Sequence, residues 1–228
     1  VKNSVQYNPS YGQTARLVFS SVVRELVISF FLVISLAVQI AKGQADWKLM
    51  TERAGVKVYT KNNADEKIKS IKAQCVLNAG VERIVDLLMD VRATEKWVCH
   101  TKSCVLLRRV SAQEFYYYTE VSLPWPVSNR DFVTHATVSV DPITKVVTVN
   151  APSVPGWVSP KKGVVRVYQS VGHWVLTPIT ADRTSVIYTL QVDPAGMVPA
   201  WIVNSFSYQA PVETFRNMKK LLHDRAIH

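Results

Sequence analysis

The sequence predicts an α+β fold in which a curved antiparallel β-sheet wraps around a long C-terminal α-helix. Three observations carry that expectation. Apolar and polar residues alternate with period two in segment after segment, as in half-buried strands. A short helical pair interrupts the early strands. One long helical periodicity closes the chain, and it is the only element large enough to cover a face of so extended a sheet.

GVKVYTK (55–61) and KIKSIKAQCVL (67–77) alternate and open the sheet. VERIVDLLMDV (81–91) sets Ile84, Val85, Leu87, Leu88 and Val91 on one side of a helix, and ATEKW (93–97) forms a second helical piece closing at Trp97. Five strands follow at 101–110, 113–123, 130–140, 144–151 and 163–176, the fourth entered through the turn DPITK, and a sixth runs from 184 to 192. In SLPWPVSN, Pro124 and Pro126 fix φ and cannot donate to a ladder. They mark a stiff connection around Trp125, and Arg130-Asp131 enters the strand beyond it. From Met197 to His223 the spacing of Val198, Trp201, Ile202, Ser205, Tyr208, Val212, Phe215, Met218 and Leu222 follows one helical face, and Pro211 within it predicts a kink.

With 228 residues, 48% hydrophobic and only 19% charged, the chain has ample material for a core and is not a disordered tail. No linker divides residues 46–228, so one domain is expected there. A formal charge of +10 asks for an anionic partner. The basic residues are scattered and no nucleic-acid-binding motif accompanies them, which argues against nucleic acid and for transient contact with anionic lipid headgroups.

Residues 26–41, LVISFFLVISLAVQIA, are uncharged and short for a bilayer span, but they suit the apolar region of a secretory signal. Gly43 and Ala45 supply small residues at a cleavage point. Residues 1–45 are therefore read as an extension with an export signal, and 46–228 as an exported, periplasmic domain. The alternative is a membrane anchor through residues 26–41, and the intact mass of the native protein decides between them. Of the three cysteines, Cys75 falls in an apolar strand pattern as a small hydrophobe. Cys99 and Cys104 are close enough for an oxidised loop, the other reading being inert thiols.

No G-x-S-x-G, H-E-x-x-H, Walker loop or metal spacing appears, and the five histidines are widely separated. No catalytic residue, metal or cofactor is expected. In strand 113–123, alternation puts Phe115, Tyr117 and Thr119 on one face and Tyr116, Tyr118 and Glu120 on the other. Trp157, Trp174, Trp201 and Phe206 are candidates to line an apolar cavity, against the alternative of plain core. The loop APSVPGWVSPKKG (151–163), with Trp157 and Lys161-Lys162, reads as a lid touching membrane or as an ordinary rigid loop.

Four motifs stand in order: MDVRATEKW closing the first helices, PWPVSNRDFV before a strand, SPKKGVVRVYQS after a proline-rich loop, and TLQVDPAGMVPAWIVN opening the last helix. On these the chain from about residue 46 to 224 resembles the START domains, lipid transfer modules named for the steroidogenic acute regulatory protein. The resemblance implies a helix-grip fold enclosing a tunnel for one sterol or other lipid, without cofactor or catalysis, in a bacterial-type exported monomer. It also implies that Arg130, with Asp131 beside it, reaches the tunnel and meets the ligand's polar end. A buried guanidinium needs a partner, and a hydroxyl from Tyr117 or Thr119 is expected in place of the family's carboxylate. The other reading of Arg130 and Asp131 is a strand-end salt bridge. Because the same architecture hosts cyclases and hydrolases, the alternative function is an enzyme on an apolar substrate, with Arg130 and Tyr117 as acid and base.

Overall fold

The computed structural model describes residues 47–61 and 69–227, within a unit that begins at Trp47. The apolar run 26–41 and the cleavage point near Ala45 lie outside the described residues. β1 (Trp47–Arg53) and β2 (Val56–Lys61) form a hairpin through Ala54-Gly55, both at positive φ, as the two-residue turn between twisted strands demands. β1 carries no alternation because it is an outer strand with both faces largely in water.

β3 (Lys69–Leu77) leads to α1 (Val81–Met89), a 3₁₀ turn (Val91–Ala93) and α2 (Thr94–Trp97). Gly80 precedes α1 where a Cβ would stand 2.7 Å from the Ala181 carbonyl oxygen, so no larger residue fits. The meander is β4 (Thr101–Arg109), β5 (Glu114–Val121), β6 (Asn129–Val140), β7 (Val147–Pro152), β8 (Val164–Arg166), β9 (Ser170–Thr180) and β10 (Arg183–Val192). α3 (Ala200–Asn204), a π-helical turn (Ser205–Gln209) and α4 (Ala210–Ile227) end the chain.

The sheet order is β1-β2-β3-β10-β9-β7-β6-β5-β4, antiparallel throughout, with β8 pairing parallel to β6. Phe215, Met218 and Leu222 of α4 pack with Ile84 and Leu87 of α1 and with Val58, Leu77 and Leu176 of the sheet. This is the α+β grip that alternation and the terminal helix predict.

Two expectations are corrected in detail. The strand predicted at 163–176 is two strands. The far half of β6 pairs with β7, its first residues Asn129–Asp131 pair with β8, and the chain then steps across to β9 beside β7. The irregularity expected at Pro211 falls one turn earlier, where the Ala210 N–H donates to the Ser205 carbonyl, five residues back. Proline supplies no N–H and crowds the carbonyl four residues before it, and the wider turn relieves that crowding. The cysteines are free: the Cys99 thiol donates to Glu213 Oε2 at 3.1 Å, and Cys104 Sγ lies 3.6 Å from Thr119 Oγ1, so no oxidised loop links them.

Candidate functional site

A cavity of about 340 Å³ lies between the inner face of the sheet and the terminal helical segments. That is near the lower end of the roughly 300–1,000 Å³ that ligand pockets span. Period two decides its wall: β5 presents Phe115, Tyr117 and Thr119, and β6 presents Arg130, Phe132 and Thr134. Trp174 of β9 and Phe206 of the π-helical turn also line it. Trp174 is wedged among Trp97, Tyr188 and Phe215, with ring centroids 6.1, 4.3 and 5.8 Å away, so it serves as core and as cavity wall at once. Phe206 stacks on His100 at 4.6 Å.

Arg130 is 6% exposed. Its Nε donates to the Pro194 carbonyl at 3.2 Å, Nη1 to that of Ser128 at 2.6 Å, and Nη2 to that of Ala195 at 3.1 Å. Burial holds its pKa below the usual arginine value. The hydroxyl partner expected from Tyr117 or Thr119 is thus corrected: three backbone carbonyls surround the guanidinium. Ala195 and Gly196 adopt φ of 56° and 64°, reversing the β10–α3 loop so that its carbonyls meet Arg130. The Ala195 N–H bonds Asp193 Oδ1 at 2.9 Å, fixing that turn. Tyr117 stands opposite Thr134 in the β5–β6 register, and burial pushes its phenol up to about 12.

Asp131 is not in the cavity. Neighbouring residues of a strand point to opposite faces, so Asp131 faces the outer side while Arg130 faces in. Its Oδ1 lies 2.7 Å from Arg166 Nε and its Oδ2 3.0 Å from Nη2, with the two side chains 1% and 8% exposed. Tyr118 donates to the same carboxylate at 3.1 Å. The Arg130–Asp131 salt bridge fails for the same reason: the partner is Arg166, which the parallel register of β8 sets opposite Asp131. Sequence reading missed Arg166, because only that non-local pairing reveals its role.

Two tryptophans are also corrected. Trp157 stacks at 4.1 Å on Tyr116, whose ring also stacks at 4.3 Å on His135, and none of these three lines the cavity. Lys161 Nζ sits 4.4 Å over the Tyr118 ring and 3.5 Å from Glu120 Oε2. The loop 151–163 is therefore tied to the outer face, and only Ala151 of it reaches the cavity, so it is no lid. Trp201 is 55% exposed and outside the lining. The largest exposed apolar side chains near the site are Trp125 at 91% and Met197 at 96%. They belong to the β5–β6 and β10–α3 loops, which Arg130 joins by bonding Ser128 on one and Pro194 and Ala195 on the other.

Also on the outer face, Glu120 accepts from Lys102 Nζ at 2.8 Å and Asn129 Nδ2 at 2.9 Å, and these bonds hold its carboxyl down at about 2. A folded pKa depressed below the unfolded value contributes stability that is present above the unfolded carboxylate range and lost as pH falls toward the folded pKa. We expect Lys102→Met to raise the Glu120 pKa and to shrink the stability lost between about pH 4.5 and 2. Carboxyl titration by NMR checks this, and an unmoved Glu120 pKa would reject Lys102 as the cause.

The family model for the START domain matches residues 35–226. An uncharacterized protein of Pseudomonas aeruginosa is 32% identical over 180 residues, covering 79% of this chain and 88% of that protein. The phosphatidylcholine transfer protein of Mus musculus is 28% identical over 165 residues, covering 70% of this chain and 76% of its own. The crystal structure of a STAR-related lipid transfer protein from Xanthomonas axonopodis superposes with a TM-score of 0.71 at 31% identity, covering 78% of this chain and 99% of that one.

Proposed function

The chain belongs to the START domain family, and from that premise we propose that it takes up one hydrophobic lipid in its cavity and carries or presents it without catalysis, as a monomer. The observation that carries this reading is an apolar and aromatic cavity whose wall holds the buried polar anchor Arg130. Removing on the order of 400 Å² of lipid surface from water gains roughly 10 kcal/mol before ordering costs, enough to hold an insoluble molecule without chemistry. The names of the mouse and Xanthomonas proteins support a lipid as the class of ligand. Export, read from residues 26–41, would make this a carrier on the far side of the inner membrane.

The membrane contact is proposed at Trp125 and Met197, not at loop 151–163. Both side chains stand in water on the two loops that meet over Arg130, and an indole suits the membrane interface. Organic extraction of the purified full chain, read by mass spectrometry, is expected to yield about one unaltered lipid per protein. In a vesicle assay the chain should speed transfer of a fluorescent lipid. Trp125→Ala with Met197→Gln should slow it by about tenfold or more, since each buried apolar side chain is worth about 1.5–3 kcal/mol. Absence of any co-purifying or transferable lipid would reject the carrier. A chemically altered lipid whose formation Tyr117→Phe abolishes would move the protein to the enzyme class.

A further inference from the structure

Gly172 stands in the interior of β9, where a glycine weakens a strand and commonly marks a bulge or the close approach of another backbone or of a ligand. The register runs unbroken through it: Gly172 pairs with Leu190 of β10 on one side and with Ala151 of β7 on the other. Its φ is not among the positive ones. A Cβ built on it would meet no backbone, only Ala151 Cβ and the Tyr188 ring and hydroxyl, each at 3.6 Å, an ordinary contact. Atoms beyond that Cβ would enter the cavity or press Tyr188 into it. Gly172 and Ala151 both line the cavity, and side by side they put almost no side chain into it. The next inward position of β9 is Trp174, in one row with Tyr188 of β10 and Val149 of β7, its ring centroid 4.3 Å from that of Tyr188. One row further, Leu176, Val186 and Val147 no longer line the cavity and are buried in the core with Phe215 and Met218. From the Ser170–Val192 row, next to the loop that meets Arg130, to the Trp174–Tyr188 row is about 13 Å of strand.

Building on the lipid-carrier reading, we propose that Gly172 and Trp174 set the length of the ligand's hydrocarbon tail: Gly172, with Ala151, keeps a passage open for a single unbranched chain, and Trp174, backed by Tyr188, is the floor at which that chain ends. Each methylene that leaves water for the cavity adds about fourfold in affinity. A chain that has reached the floor gains nothing from further methylenes, because they stay in water at the mouth or must displace packed core. The ligand is therefore a lipid with a straight tail of capped length, and the cap is written in two positions of β9 two residues apart.

The saturated fatty acids from octanoate to docosanoate test this on the full chain, each delivered from cyclodextrin and read by displacement of the dye Nile red. In the wild-type protein affinity is expected to climb with chain length and then break, levelling or falling. In Gly172→Val the acid at the wild-type break should bind tenfold or more weakly, and the break should move to shorter chains. Gly172→Ala, whose Cβ only reaches contact, should leave it in place, which separates filled space from the loss of a glycine. In Trp174→Leu the acid two methylenes past the wild-type break should bind tenfold or more tightly than it does to the wild type. A steady climb through docosanoate in the wild type would overturn the floor and leave the lipid carrier standing. A break that stays put in both Gly172→Val and Trp174→Leu would place the floor elsewhere and overturn the assignment. Binding of the dye without any of the acids would overturn the straight tail, and failure of acids and dye alike would overturn the carrier reading too. The wild-type series needs no variant, so a poorly folding Trp174→Leu does not protect the proposal.

Discussion

Replacing Asp131 by Asn is expected to cost about 3–5 kcal/mol of stability, the usual penalty for removing one partner of a buried ion pair. The substitution preserves shape but leaves the Arg166 guanidinium, almost wholly shielded from water, with only the Val158 and Ser159 carbonyls and an uncharged amide. At about 2–4 °C per kcal/mol for a chain of this size, the melting temperature should fall by about 6–20 °C. Thermal unfolding followed by circular dichroism reads the shift. Ligand affinity measured well below the melting temperature should be unchanged, because Asp131 lies across the sheet from the cavity. Replacing both partners, Asp131→Leu with Arg166→Met, should recover much of the loss, since an apolar pair has no charge left to desolvate. A shift of under about 2 °C for Asp131→Asn would mean that water reaches the pair in solution. The contrast with Arg130 is the sharper use of the experiment: adjacent residues of one strand should separate, one moving binding and the other stability.

Phe215→Ala is expected to cost about 3–5 kcal/mol, the range for deleting a buried ring. Phe215 is fully buried in α4, stacks obliquely on Trp174 with ring centroids 5.8 Å apart, and borders the cavity. The void left by the ring opens into the cavity that Phe215 lines, so the surroundings have little to collapse onto. The melting temperature should fall by about 6–20 °C. Saturating lipid should restore part of that, because a ligand that binds only the folded state stabilises it in proportion to its occupancy. Equal lipid-induced stabilisation in both proteins is the outcome that would count against Phe215 as part of the ligand's wall.

Both expectations rest on features that differ in how visible they are along the chain. The parity of Phe115, Tyr117 and Thr119 was legible, because a strand can send its side chains only to two faces. The same rule already separated Arg130 from Asp131, but a motif read as a unit obscured it. Trp174 and Trp157 both look like cavity aromatics by composition, yet one closes the core and the other stacks on Tyr116 outside it. Nothing local distinguishes them, since each lies in or near a strand and each ring is apolar. β1 escaped notice for a related reason: an outer strand with two wet faces has no pattern to show.

By itself the sequence determined the class of fold, the order of most of its elements, the two faces of strand 113–123 and the family, because periodicity and local motifs are properties of neighbouring residues. Only the tertiary structure decided the partners. Arg166 meets Asp131 through a parallel pairing 35 residues apart. Arg130 meets the Pro194 and Ala195 carbonyls across separations of 64 and 65 residues. A charge's partner depends on which distant segments the sheet brings side by side, and that is set by the packing of the whole chain around the terminal helix rather than by any stretch of it.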